Sequence, residues 1–213
     1  MFEFHILTIG HFSRNLFWGE DQTISYRDAV CTSTLIKGEK NIVVDPSQPA
    51  ELMAKTLFDR SGLRPEAVDC VFITHAHGDH YVGLECFEKA AWYMSEAELE
   101  NMKRGGERDR ELAEKILPAR PGFADGIETL ALPGHTLGIT GLSFDTRDGK
   151  TVVCGDVVMT RDYFKARAGH FNGLDKEKTA GSIEILAKTA DIIIPGHDNY
   201  FINCEKNHLN VSK

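Results

Sequence analysis

Val71-Phe72-Ile73-Thr74-His75-Ala76-His77-Gly78-Asp79-His80 is the stretch on which the reading of this chain turns. Its first half is a short β-branched and aromatic run, the pattern of a buried strand. Its second half sets three imidazoles and one carboxylate among two small residues, Ala76 and Gly78. Residues that small let a backbone coil tightly and aim several side chains at one point. The donor set suits borderline ions such as zinc, iron or manganese. A loop leaving a strand is also where sites collect in layered sheet proteins.

Three further segments repeat one grammar, an apolar run, a glycine and then a polar donor. They are Leu130-Ala131-Leu132-Pro133-Gly134-His135, Val152-Val153-Cys154-Gly155-Asp156 and Ile192-Ile193-Ile194-Pro195-Gly196-His197. A single histidine after a strand is an ordinary loop residue. Four such elements together offer five histidines and two aspartates, enough for two metal ions with open positions.

Around them the chain reads as short strands at 4–9, 30–36, 42–44, 68–73, 129–132, 140–144, 151–154 and 191–194, with a hairpin turn at 145–150. Helical patterns occupy 49–60, 95–104, 108–117 and 175–190. Ser95 and Glu98 have the spacing of a capping box, and Pro49 suits a first helical turn. Strands interspersed with amphipathic helices imply sheets with helices packed outside. No repeat or linker-like shift in composition occurs, so one domain over 1–213 is the simplest organisation.

With 213 residues, 42% of them hydrophobic, the chain can bury a full core without cysteine staples. Its net charge of −8 argues against a long polyanionic partner, so nucleic acid is disfavoured. Lys103-Arg104 and Arg108 to Arg110 are interrupted by Glu107 and Asp109, as on a solvated helix face. The five cysteines (Cys31, Cys70, Cys86, Cys154 and Cys204) form no CxxC pair, which indicates neither a disulfide framework nor a zinc ribbon. Cys70 and Cys154 lie in apolar runs and are expected in the core. The N-terminus lacks the pattern of a secretory signal, and no apolar stretch is long enough to span a bilayer. The expected location is cytoplasmic, with no membrane partner.

The four donor-bearing elements resemble those of the metallo-β-lactamase-fold hydrolases, whose HxHxDH motif is followed by a His, a bridging Asp and a last His. The resemblance runs from the strand pair near Cys31 to Asp45 through to Gly196-His197. Within the superfamily it is nearest to the small proteins similar to metallo-β-lactamase domain-containing protein 1, on Gly155-Asp156-Val157 and on Ala190 to His197. It implies an α/β (α+β) fold, a four-layer αββα sandwich. It also implies that His75, His77 and His135 hold one metal, that Asp79, His80 and His197 hold a second, and that Asp156 bridges them. Asp45 would orient a ligand histidine, and Asp79 would act in catalysis on the nucleophile's proton. The implied cofactor is two divalent ions per chain, zinc first, with iron or manganese as alternatives. The implied activity is metal-dependent hydrolysis of a small ester, lactone, thioester or phosphodiester.

Departures from family patterns narrow this. True β-lactamases of the family lack the complete ligand set, whereas this chain has both His80 and Asp156. Homoserine lactonases tend to carry Tyr three residues after the bridging Asp, where this chain has Met159. A mononuclear iron dioxygenase acting on sulfur, and a metal-binding or sensor module without turnover, remain open at this level. Tyr163, Lys165, Arg167 and His170 follow Asp156 and are candidates to face the substrate, as are Asp198 and Tyr200 after the last ligand. Phe12, Phe17 and Trp18 read equally as a flap over the site, as core, or as a contact in a homo-oligomer. His5, His11 and His208 read as surface or edge-strand residues.

Overall fold

Alternation along the strands sorts their side chains into three separate cores, and that sorting produces the layers. The computed structural model describes residues 1–206, so His208 lies outside the described residues. One sheet contains β1 (Glu3–Thr8), β2 (Ser33–Lys37), β3 (Asn41–Val44), β4 (Cys70–Ile73), β5 (Ala91–Met94) and β6 (Leu117–Pro118), in that order. The other contains β7 (Glu128–Ala131), β8 (Thr140–Thr146), β9 (Gly149–Gly155), β10 (Ile192–Pro195) and β11 (Phe201–Ile202), ordered β11-β10-β9-β8-β7. The helices are α1 (Ala50–Ser61), α2 (Glu96–Met102), α3 (Glu107–Ala113), α4 (Arg161–Ala166) and α5 (Lys176–Thr189).

On β4, Val71 and Ile73 join Met53 and Leu57 of α1, Leu99 of α2 and Leu112 of α3. The intervening Cys70 and Phe72 face Leu142, Phe144, Val153 and Ile194 of the opposite sheet. On that sheet Val152, Cys154 and Ile193 pack outward onto Phe164 of α4 and Ile183 and Leu186 of α5. The order is helix, sheet, sheet, helix: the αββα sandwich. Strands covered on both faces need apolar residues at every position, which is why β4, β9 and β10 read as continuous runs. Each large apolar side chain so buried contributes roughly 1.5–3 kcal/mol.

Where the structure departs from the sequence reading, pairing overrides local pattern. Ala91–Met94 and Phe201–Ile202 are strands too short to show a period; they are held by ladders with β4 and β10. The helix expected over 108–117 stops at Ala113, because Leu117–Pro118 pairs in parallel with β5. Arg161–Ala166 is an unexpected helix. Pro49 stands one position ahead of α1 rather than in its first turn. Ser95 does cap α2, accepting the Glu98 amide at 3.3 Å, but the Glu98 carboxylate does not reach back to complete a capping box. Cys70 and Cys154 are buried and all five cysteines are free. No helix among the described residues is long and apolar enough to cross a membrane.

β3, β4 and β5 run parallel, as do β9 and β10, while β7 and β9 are both antiparallel to β8. The carboxyl ends of β3, β4, β7, β9 and β10 therefore share one rim. Backbone bonds lace the two sheets together there. Thr140 N–H donates to the Thr74 carbonyl at 3.1 Å, and Thr32 N–H to that of Gly196 at 2.6 Å.

Candidate metal centre

Just past β4, Gly78–His80 forms a single 3-10 turn, closed by His80 N–H donating to the His77 carbonyl at 3.0 Å. That turn lets one short segment direct donors at two neighbouring points. At the first point, His77 Nδ1 lies 3.0 Å from both His75 Nε2 and His135 Nε2. Asp156 Oδ2 is 3.8 Å from His75 Nε2 and 3.4 Å from His135 Nε2. At the second, Asp156 Oδ1 is 3.2 Å from His80 Nε2 and 3.3 Å from His197 Nε2, and Asp79 Oδ2 is 3.6 Å from His197 Nε2.

These separations fit an ion. Donors around tetrahedral zinc, at bonds of about 2.0–2.1 Å, stand roughly 3.3 Å apart. His80 Nε2 and Asp156 Oδ1 are buried and aimed at each other without a properly aligned hydrogen bond. Buried polar atoms left in that way are costly unless something else satisfies them.

The reverse sides of the rings are held from behind. His80 Nδ1–H donates to Asp45 Oδ2 at 2.9 Å. Thr74 donates to Asp45 from both its amide and its hydroxyl, each at 2.8 Å. With that proton committed, Thr74 Oγ1 accepts from His75 Nδ1 at 3.1 Å. Asp45 thereby orients His80 directly and His75 through Thr74, leaving both Nε2 lone pairs inward. His197 Nδ1–H donates to the Val30 carbonyl at 3.0 Å, with the same effect.

Burial holds His75 well below its usual range and His135 down to about 4, so both are neutral imidazoles fit to ligate. Burial also opposes charge on Asp156, yet His197 and His80 beside it keep its carboxyl well below the usual range. His80 and His197 shift upward despite their burial, His80 through Cys31 and then Asp156 and Asp45, and His197 chiefly through Asp156.

The glycine before each later donor is a steric requirement. A Cβ at Gly134, Gly155 or Gly196 would lie 2.3 Å from Thr179 N, 2.6 Å from Thr74 Oγ1 and 2.0 Å from Asp156 Oδ1, respectively. Gly196→Ala is expected to destabilise the fold by about 2–3 kcal/mol through overpacking and to displace Asp156. A denaturant midpoint equal to the parent's would refute this.

The other expected contacts divide. His170 is brought to the centre: its ring lies 5.3 Å from Phe12, whose edge meets His197 at 5.6 Å. Tyr163 is not at the cavity, being buried between Phe12 and Phe17. Arg167 is instead paired with Glu184 and Glu205 on the far side of its helix end, and Lys165 is exposed. The Asp198 carboxylate accepts the Arg161 and Asn199 amides, which makes it a loop and helix-start residue. Tyr200 packs edge-on against Phe4 at 5.2 Å and lines a groove along β1, away from the metal-ligand rim. Phe12 is core, while Phe17 and Trp18 stay largely exposed. Sequence reasoning missed Thr74, the Val30 carbonyl and the carboxylate of Glu98; only Glu98 left a signal, misread as a cap.

An open cavity of about 510 Å³ adjoins His77 and His135. Leu137 and Leu174 form its apolar walls, and Asn101, Arg104 and Asn172 its polar ones.

Residues 26–197 match the family model of the metallo-beta-lactamase superfamily. The chain is 31% identical over 172 residues to metallo-beta-lactamase domain-containing protein 1 of Xenopus laevis, covering 77% of this chain and 69% of that one. It is 26% identical over 190 residues to an N-acyl homoserine lactonase of a Bacillus species, covering 84% and 74%. Among solved structures, AidC, a dizinc quorum-quenching lactonase in complex with its product, superposes with a TM-score of 0.66 at 17% identity, covering 79% of this chain and 72% of that one. The chain belongs to the metallo-beta-lactamase superfamily and is a metal-dependent hydrolase.

Proposed function

We propose that this member of the superfamily is a dinuclear hydrolase acting on a small acyl ester, with lactones as the first candidates. The observation that carries the proposal is Asp156, whose Oδ2 faces His75 and His135 while its Oδ1 faces His80 and His197. A carboxylate shared between two ions requires that arrangement. In this reading His75, His77 and His135 hold one ion, and Asp79, His80 and His197 hold the other. The ions are divalent, with zinc the first choice, as in the dizinc neighbour. The chemistry such ions supply when bound is acidification of a water and polarisation of the substrate's carbonyl oxygen.

The remaining work falls to the chain. Asp79, with a quarter of its side chain exposed, stands where it can accept the attacking water's proton. Phe12 and Met159 close the site from bulk water on the side of His197. His170 Nδ1–H donates to Asn172 Oδ1, which leaves Nε2 as a buried acceptor with no partner among the described residues. Burial lowers the His170 pKa, so the ring stays neutral and can take a hydrogen bond from a substrate N–H. Lactones are favoured by the Bacillus relative and by the apolar walls beside His77 and His135, which suit an acyl arm. His170→Ala is expected to raise KM about tenfold, the loss of one hydrogen bond, with kcat within threefold. A kcat loss at unchanged KM would contradict a binding role.

The deciding experiment measures metal per chain by elemental analysis. It also assays the loaded protein on N-acyl homoserine lactones, aryl esters, thioesters and phosphodiesters. Two ions per chain and turnover of lactones or esters are expected. One ion per chain, or turnover confined to phosphodiesters, would overturn the proposal.

A further inference from the structure

Glu98 is fully buried at the first turn of α2, and among the described residues no lysine or arginine pairs with it. Its two oxygens instead accept two backbone amides from different loops. Oε2 takes the Ala76 N–H at 2.9 Å, and Oε1 takes the Gly138 N–H at 2.8 Å. Ala76 stands between His75 and His77, and Gly138 follows His135 by three positions. One carboxylate thus ties together the loops that carry all three histidines of the first donor group.

Ser95 completes the grip. Its hydroxyl donates to the Gly138 carbonyl at 2.7 Å while accepting the Glu98 amide. Gly138 is thereby held at both its N–H and its C=O by one turn of helix. The approach is so close that a Cβ at Gly138 would lie 2.6 Å from the Ala97 Cβ and 2.9 Å from the Glu98 nitrogen. A buried carboxylate is costly unless hydrogen bonds satisfy it, and these amides do so. An apolar residue would fill the same space at less expense if packing were the only requirement.

We infer that Glu98 is a positioning residue for the metal centre, setting the distance between the His75–His77 pair and His135 by bridging the Ala76 and Gly138 amides. This rests on the metal-ligand reading given above. The ring nitrogens of His75 and His135 each sit 3.0 Å from that of His77, so a shift of either loop by an ångström would spoil the trigonal set. The Asp79, His80 and His197 set has no contact with Glu98 and is held by Asp45 and Val30.

Glu98→Gln separates positioning from packing. It keeps the volume but presents an NH2 group to one of two amide donors. Zinc and cobalt titrations against a competing chelator, on parent and variant, read both binding events. The expected result is at least a tenfold loss of affinity for one ion, a change under threefold for the other, and an altered visible spectrum of the first-site cobalt. Affinities unchanged from the parent's at both sites in the folded variant would overturn the inference. If Glu98→Gln does not fold, Ser95→Ala, which removes the Gly138 carbonyl contact and the cap on the Glu98 amide but keeps the carboxylate, serves instead. A smaller loss confined to the same ion supports positioning, and unchanged affinities overturn it. The parent arm keeps the two readings distinct: fewer than two ions on the parent defeats the dinuclear proposal, whereas two ions bound by the variant with the parent's affinities defeat only the role of Glu98.

Discussion

Asp156→Ala is expected to lower kcat/KM by about 10³-fold or more, roughly 4 kcal/mol of transition-state stabilisation, and to leave fewer than two ions per chain. The size follows from position. Among the described residues Asp156 alone has its two oxygens facing both donor groups, so its loss is expected to disturb both sites of the proposed centre rather than one. It is also the group that most strongly raises the His197 pKa, and after Cys31 it is the next to raise that of His80, ahead of Asp45. Without it, His80 keeps Asp45 and His197 keeps Asp79, but the carboxylate the two buried imidazoles share is lost, and any ions held there would lose a neutralising ligand. Asp156→Asn keeps the shape and removes the charge, and is expected to lie between parent and alanine variant. Circular dichroism separates a folded but empty protein from an unfolded one. A folded alanine variant with two ions and activity within tenfold of the parent would sink the bridging assignment.

Stripping the protein with a strong chelator is expected to abolish hydrolysis and to lower Tm by about 10 °C. His75, His80, His135, Asp156 and His197 are all buried, and they converge within a few ångströms. An ion that binds this folded cluster and not the unfolded chain stabilises the fold by RT ln(1 + [L]/Kd), about 4 kcal/mol at a thousandfold excess over Kd. For a chain of this size each kcal/mol corresponds to roughly 2–4 °C in Tm. Removal leaves the donors facing one another, with the Asp156 carboxylate held between His80 and His197, whose pKa values it raises in turn. Adding back zinc, and separately manganese, restores Tm and activity together if the ions do both tasks. Calorimetry that shows no shift on chelation, with activity retained, would remove metal from the account altogether.

Gly134, Gly155 and Gly196 show how a local rule in sequence can encode a tertiary fact. Each glycine recurs before a donor because a neighbouring segment occupies the space where its Cβ would stand. Tyr163, Arg167 and Tyr200 show the reverse. All three lie close in sequence to Asp156 or His197, but Tyr163 is buried beneath Phe17, Arg167 turns to Glu184 and Glu205, and Tyr200 turns to β1. Glu98 was legible only as a helix-start residue, because its spacing from Ser95 is local and its partners are not.

The sequence by itself determined the donor set, the strands that carry it and the layered architecture. Those features depend on short-range periodicity and on residue chemistry within a few positions. Only the tertiary structure decided which atoms meet. The two-sided placement of Asp156, the Asp45 to His80 bond across 35 positions and the Val30 to His197 bond across 167 depend on strand order and register between two sheets. Register is a property of long-range pairing and packed cores, and no window of the chain contains it.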